Sequence, residues 1–250
     1  MSVDPTFGDD APRAVPSPHP GVSLWWITLD APEARRATFD RWLSPAERAR
    51  RARFGTDALR QRYLVGRATL RWLLGRALGV PPDRVAIERG ERGRPRLADA
   101  PGLDFNVTHT GLDGMIGLVT GLRVGVDIER TDRVINAPGI ARKFMTAAER
   151  AALPADADAA RRQLLRLWTC KEAMSKATGD GVSAPFGRID VALMPTLRVA
   201  GGPAAYAPGA WSLHAVDASP AHFATVALWR GAVPPSPSSR ELTLGPGRPG

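Results

Sequence analysis

The run Val124-Gly125-Val126-Asp127-Ile128-Glu129 decides how this chain is read. Side chains alternate along a strand, so Val124, Val126 and Ile128 share one face, while Asp127 and Glu129 share the other with Gly125 beside them. Carboxylates at i and i+2 lie about 7 Å apart on a strand, and they repel unless a cation intervenes. Hard oxygen donors of this kind suit magnesium, which takes one or two carboxylates together with substrate phosphates and water. The same alternation describes the solvated outer face of an edge strand, and the hexapeptide alone favours that plainer reading.

Working outward, the apolar, β-branched stretch Val22–Leu29 reads as a strand. Ser44-Pro45-Ala46-Glu47 marks a helix start, with Ser as cap, Pro in the first turn and Glu three residues after the Ser. A long helix is expected from Asp57 to Leu78. Its leucines and Tyr63 recur at helical spacing, arginines lie opposite, and Gly79 with Pro81 and Pro82 ends it. Ile87–Gly90 and Gly93–Leu97 are turn-rich. Phe105–Thr108 and Met115–Thr120 read as strands joined by a turn at Gly111–Gly114, and Gly121 leads into Val124–Glu129. One helical stretch is expected over Ile140–Leu153, with Thr146 and Glu149 spaced as a capping box. A second long helix covers Ala159–Thr178 and stops at Gly179. Arg188–Leu193, Trp211–Val216 and His222–Trp229 read as strands. The fold class is α+β: two halves of similar size that repeat an order of elements, meeting near Gly121–Gly125. The expected boundaries are a disordered leader over 1–20, halves over 21–123 and 124–232, and a disordered tail over 233–250.

Composition limits the classes. The chain has 250 residues, net charge +9 and one cysteine, Cys170. No intramolecular disulfide and no zinc site built on cysteine pairs is possible. The four histidines, His19, His109, His214 and His222, lack metal-ligand spacing. No stretch approaches the ~18 apolar residues of a membrane span, and a signal peptide's basic start is missing, so a cytoplasmic location is expected. The arginines are spread along the chain rather than gathered in one stripe, and no nucleic-acid-binding motif is present, so no nucleic-acid partner is expected. Of 34 basic residues only Lys143, Lys171 and Lys176 are lysine. Lysine is a compact point charge where arginine is a planar fork. Two lysines five residues apart in an arginine-rich chain therefore invite attention.

Those two lysines lie in Trp168-Thr169-Cys170-Lys171-Glu172-Ala173-Met174-Ser175-Lys176. On a helix Trp168, Glu172 and Lys176 form one stripe at i, i+4 and i+8. The Glu–Lys pair reads either as a surface ion pair or, since Trp168 suggests an inward side, as buried groups that need partners. In Phe105-Asn106-Val107-Thr108-His109-Thr110, a hydroxyl beside a histidine at a strand end can bind phosphate. A structural histidine is the alternative. Gly93-Arg94-Pro95 adds a cation on a tight turn.

Taken in order, GRP at 93–95, FNVTHT at 105–110, GVDIE at 125–129 and WxxKEAxxK at 168–176 resemble the 4'-phosphopantetheinyl transferase superfamily, in its two-lobed, surfactin-synthetase-activating form. The resemblance spans about Leu43 to Val182. It implies two pseudo-symmetric α/β halves with the active site in the cleft between them. It also implies Mg2+-dependent transfer of 4'-phosphopantetheine from coenzyme A to a serine of an apo carrier protein, acyl or peptidyl, by a monomer. By the same resemblance Asp127, Glu129 and Glu172 hold the metal, and Lys176 contacts the cofactor's phosphates. His109, with Thr108 beside it, binds the 3'-phosphate, Arg62 reaches the same phosphate, and Arg94 lies near the adenosine end. Arg48 and Arg51 stand at further basic positions. Asp127, Glu172 and Lys176 are the implied catalytic set, the base being Glu172 or a metal-bound water. Thr108 and Thr110 stand where the family usually has serines, which keeps the hydroxyls.

Overall fold

In the computed structural model, which describes residues 6–90, 92–100 and 102–231, the chain runs twice through one order of elements. The first pass has strands Arg13–Val15 (β1) and Val22–Thr28 (β2), then helices Glu33–Trp42 (α1), Pro45–Ala52 (α2) and Asp57–Leu78 (α3). A hairpin of Ile87–Arg89 (β3) and Pro95–Leu97 (β4) follows, then strands Leu103–Thr110 (β5) and Asp113–Thr120 (β6). The second pass begins with strand Arg123–Arg130 (β7) and helices Ala137–Phe144 (α4), Ala147–Ala151 (α5) and Ala157–Thr178 (α6). The pair Asp190–Ala192 (β8) and Arg198–Gly201 (β9) and strands Trp211–Ala215 (β10) and His222–Trp229 (β11) complete it.

The sheets repeat as well. One has the order β1-β2-β6-β5 and the other β10-β11-β7, so β2, β6 and β5 correspond to β7, β11 and β10. The sheets pack through Leu24, Met115, Val119, Val124, Val126, Ile128, Val226 and Leu228, all buried. On the first sheet's other face α3 lays Leu70, Leu73 and Leu74 against Ile27, Phe105 and Ile116. Leu167, Cys170 and Met174 of α6 pack with Leu213 and Ala227 of the second sheet. Both long helices start at a side-chain cap, Thr56 and Asp156, and end on a left-handed glycine, Gly79 and Gly179.

The structure moves several boundaries. Part of the expected leader is folded: Phe7 is buried against Phe39, Trp42 and Trp72, and Arg13–Val15 pair with Leu24–Trp26. A three-residue strand and a single aromatic plug are too short to show periodicity. The expected 233–250 tail lies outside the described residues. The stretch 140–153 is two helices, because the capping box at Thr146 starts a new one. Helix α1 had no expectation; it buries only Phe39 and lacks a side-chain cap. Strand 188–193 shrinks to Asp190–Ala192, since Phe186–Arg188 is a 3-10 turn.

Helix α6 crosses β7 in close approach at Gly125. A Cβ on Gly125 would stand 1.8 Å from the Ala173 carbonyl oxygen and 2.8 Å from the Ala177 nitrogen. Only glycine lets the helix lie this close to the strand. Gly125→Val should therefore destabilise the protein by about 3 kcal/mol or more, beyond ordinary overpacking, because backbone must move. Urea denaturation measures this, and a midpoint equal to wild type would mean that the helix does not lie on the strand.

Candidate active site

Strand β7 is an edge strand, and its outer N–H groups need partners. Strand β5 supplies them from side chains. Val124 N–H donates to Asp104 Oδ2 at 2.8 Å, and Val126 N–H donates to Asn106 Oδ1 at 3.0 Å. Two residues further along β5, Thr108 Oγ1 donates to Asp127 Oδ1 at 3.1 Å. Alternation along β5 aims Asp104, Asn106 and Thr108 the same way. These three rungs join the halves and deliver Thr108 to the carboxylate.

Asp127 lies on the face of β7 that α6 covers, so the solvated edge-strand reading does not hold: Asp127 is 5% and Glu129 8% exposed. Lys176 Nζ donates to Asp127 Oδ1 at 2.6 Å, to Thr108 Oγ1 at 2.9 Å and to the Val126 carbonyl at 3.3 Å. Asp127 Oδ2 is buried without a hydrogen-bond partner among the described residues. Burial pushes the Asp127 carboxyl above the usual range, opposed by Lys176 and Thr108. Glu129 is raised by burial and then by the charge of Asp127, while its ion pair with Arg133 pulls the other way. Glu172, half-buried on α6, is raised by burial first and by Asp127 second. Glu129 and Glu172 therefore both sense the charge of Asp127.

Among the described residues no three of these side chains close into a ligand shell. Lys176 and Arg133 are the cations that face Asp127 and Glu129 in this arrangement. The donor chemistry nonetheless fits a hard divalent ion: an orphaned buried carboxylate oxygen has no better partner than a cation, and two further carboxylates are within electrostatic reach.

The other residues singled out in the sequence divide. His109 is exposed at the end of β5, and desolvation, Lys176 and Arg62 in that order hold its imidazole below the usual value. Arg62 and Lys176 are thus close enough to act on it. Arg62 Nε is buried without a partner among the described residues, so that cation has hydrogen-bonding capacity to spare. Arg48 donates to the carbonyls of Asp40 and Leu43, and Arg51 pairs with Asp40 at 2.6 Å; both are tied to the end of α1. Arg94 is placed differently from a free phosphate ligand. Its two Nη atoms grip Asp104 at 2.7 Å each, Nη2 also donates to the carbonyls of Phe105 and Val124, and Nε donates to that of Lys176. The reason is position: the Gly93 turn sets Arg94 against β5, β7 and the end of α6, where unpaired carbonyls converge on a five-donor fork.

Sequence reasoning missed Asp104, Asn106, Arg133 and Glu149. The alternation Asp104-Phe105-Asn106-Val107-Thr108 was a visible signal for the first two. Arg133 and Glu149 carried none as site residues, because their partners are set by packing.

Comparison with known proteins adds family evidence. A family model described as the 4'-phosphopantetheinyl transferase superfamily matches residues 123–226, and one described as 4'-phosphopantetheinyl transferase, N-terminal, matches residues 32–116. The chain is 36% identical over 179 residues to the 4'-phosphopantetheinyl transferase HetI of Nostoc sp., covering 70% of this chain and 75% of that protein. It is 27% identical over 175 residues to the 4'-phosphopantetheinyl transferase Sfp of Bacillus subtilis, covering 69% and 77%. An L-aminoadipate-semialdehyde dehydrogenase-phosphopantetheinyl transferase of Xenopus laevis is 28% identical over 172 residues, covering 62% and 55%.

Removing the Arg94 fork leaves the part-buried Asp104 carboxylate with one backbone donor, Val124 N–H. Arg94→Met should cost about 2 kcal/mol, below the penalty for breaking a fully buried ion pair because the Asp104 side chain keeps some contact with solvent. Urea denaturation tests this, and an unchanged midpoint would show the joint to be held by other groups.

Proposed function

Because the chain belongs to the 4'-phosphopantetheinyl transferase superfamily, we propose that the β5–β7–α6 joint, in the cleft between the halves 21–123 and 124–232, transfers 4'-phosphopantetheine from coenzyme A to a carrier-protein serine. The observation that carries this is Asp127. It is a buried carboxylate that bonds Thr108 of one half and Lys176 of α6 and still has an oxygen to give. Mg2+ is the expected ion, and Asp127, Glu129 and Glu172 would hold it. Bound there, it would supply charge neutralisation for the diphosphate of coenzyme A.

The chain's own residues then have separable tasks. Lys176 is a point charge that can hold a phosphate oxygen beside Asp127. Thr108 and His109 at the end of β5 and Arg62 on α3, whose charge acts on His109, would together suit a phosphomonoester such as the 3'-phosphate. Glu172, which burial makes more basic, would take the serine proton directly or through a water. As serine Oγ bonds to the phosphorus bearing pantetheine, the phosphorus–oxygen bond to the nucleotide breaks and 3',5'-ADP leaves. Carrier proteins with acidic surroundings suit the chain's +9 charge. We also infer a monomer acting in the cytoplasm. Among the described residues no helix is long and apolar enough to cross a membrane.

Mass spectrometry of an apo carrier protein incubated with coenzyme A and magnesium tests the reading, through a mass gain of one phosphopantetheine that a chelator prevents. Glu172→Gln should lower the rate by about a hundredfold or more while coenzyme A still binds. Asp127→Ala should also weaken magnesium-dependent binding of coenzyme A in calorimetry. Wild-type rates in Glu172→Gln would remove that residue from the chemistry.

A further inference from the structure

Helices α3 and α6 carry the same device at the same place. Each has 22 residues, and Arg71 and Lys171 stand fourteen positions after their first residues, Asp57 and Ala157. Lys171 is 0% exposed, and its ammonium donates to the Phe144 carbonyl at 2.9 Å, Glu149 Oε2 at 2.6 Å and the Phe186 carbonyl at 2.8 Å. All three of its protons are thereby used. Glu149 is the acidic member of the capping box that starts α5; it accepts Thr146 N–H on Oε2 and, with Oε1, Val191 N–H of β8. In the first half, Arg71 donates to Glu47 Oε2 at 2.7 Å and to the carbonyls of Pro82 and Val85. Glu47 is likewise the acidic member of the capping box at Ser44.

A buried ion pair gains little over apolar side chains of similar size, so its repetition points to geometry rather than stability. Successive helical residues are about 100° apart round the axis. Ala173 and Ala177 of α6 face Gly125, and Lys171, two residues before Ala173, lies on the far side. Glu172 falls between them, and Lys176, one turn on, follows it. Apolar packing of α6 is non-directional, whereas three hydrogen bonds from one ammonium are not.

We propose that the Lys171–Glu149 pair is a positioning clamp that fixes the rotation of α6, so that Glu172 and Lys176 face β7. The proposal rests on the transferase reading above. The corresponding clamp on α3 aims different residues: Trp72 packs on Phe7, and Arg76 lies over the Trp72 ring. It thus provides a control of similar burial whose adjacent positions, Trp72 and Arg76, carry no transfer chemistry, although Glu47 also meets Arg67 at 3.4 Å.

The experiment compares wild type with Lys171→Met/Glu149→Gln and with Arg71→Met/Glu47→Gln, below the lowest melting temperature of the three. The readouts are kcat for carrier modification and the affinity for Mn2+, standing in for Mg2+, by electron paramagnetic resonance with coenzyme A present. The α6 pair should lose about tenfold to a hundredfold in kcat, the scale of a misplaced catalytic group, and should bind Mn2+ several-fold more weakly. The α3 pair, whose helix also carries Arg62, should keep kcat and Mn2+ affinity within about twofold at saturating coenzyme A, any change falling on the KM for coenzyme A. Wild-type values in the α6 pair, or equal losses in both, overturn the proposal. If the α6 double variant does not fold, Glu149→Gln alone, which leaves Lys171 its two carbonyls, should still lower kcat, and an unchanged kcat overturns the clamp. Failure of wild type to modify the carrier discards the transferase reading and the clamp with it, whereas failure confined to the variants' expected losses discards the clamp only.

Discussion

Everything in this molecule depends on how the unpaired edge of β7 is satisfied. A sheet edge exposes N–H groups that must find water or protein. Here Asp104 and Asn106 of β5 take two of them, and that pairing draws one half of the chain onto the other. The third rung, Thr108 to Asp127, joins two side chains instead of a side chain and backbone, and it falls where the chemistry is expected. A structural need and a functional one are met by one alternating row of polar side chains. Arg94 reinforces the row by gripping Asp104 while bonding carbonyls of β5, β7 and α6.

The second constraint is the approach of α6 to β7. Gly125 removes the side chain that would hold the helix away, so Lys176 reaches a carboxylate two residues further along the strand. Burial raises the cost of charge on Asp127, Glu129 and Glu172, and the charge of Asp127 further penalises the other two. Such a group favours a cation strongly once one is present. The protein's own Lys176 and Arg133 meet part of that demand, and the orphaned Asp127 oxygen marks what they leave.

The two halves differ in what their shared scaffold carries. Both have a 22-residue helix, a capping-box glutamate and a buried cation at the same helical position. In the first half the neighbouring positions hold Trp72 and Arg76; in the second they hold Glu172 and Lys176. The scaffold is duplicated, while the buried carboxylates Asp127 and Glu129 stand on one copy, with Thr108 of the other bonded to Asp127.

Local rules written in the residues were enough for the long helices, their glycine ends, both capping boxes and most strands, because caps, periodicity and turns act over a few neighbouring residues. The family was legible for the same reason: its motifs are short and their order survives. Short elements with little apolar content, such as β1 and α1, left no pattern to read. Neither did the function of groups whose partners lie far along the chain. Arg94 reads as a free cation on a turn, and only tertiary packing brings it to carbonyls of three elements. Lys171 and Lys176 look alike in sequence, yet one is sealed against Glu149 and the other meets Asp127. Sequence determined which side chains could bind a phosphate or a metal. Tertiary structure decided which ones face the same space, because burial and direction are set by contacts between segments that the order of residues does not encode locally.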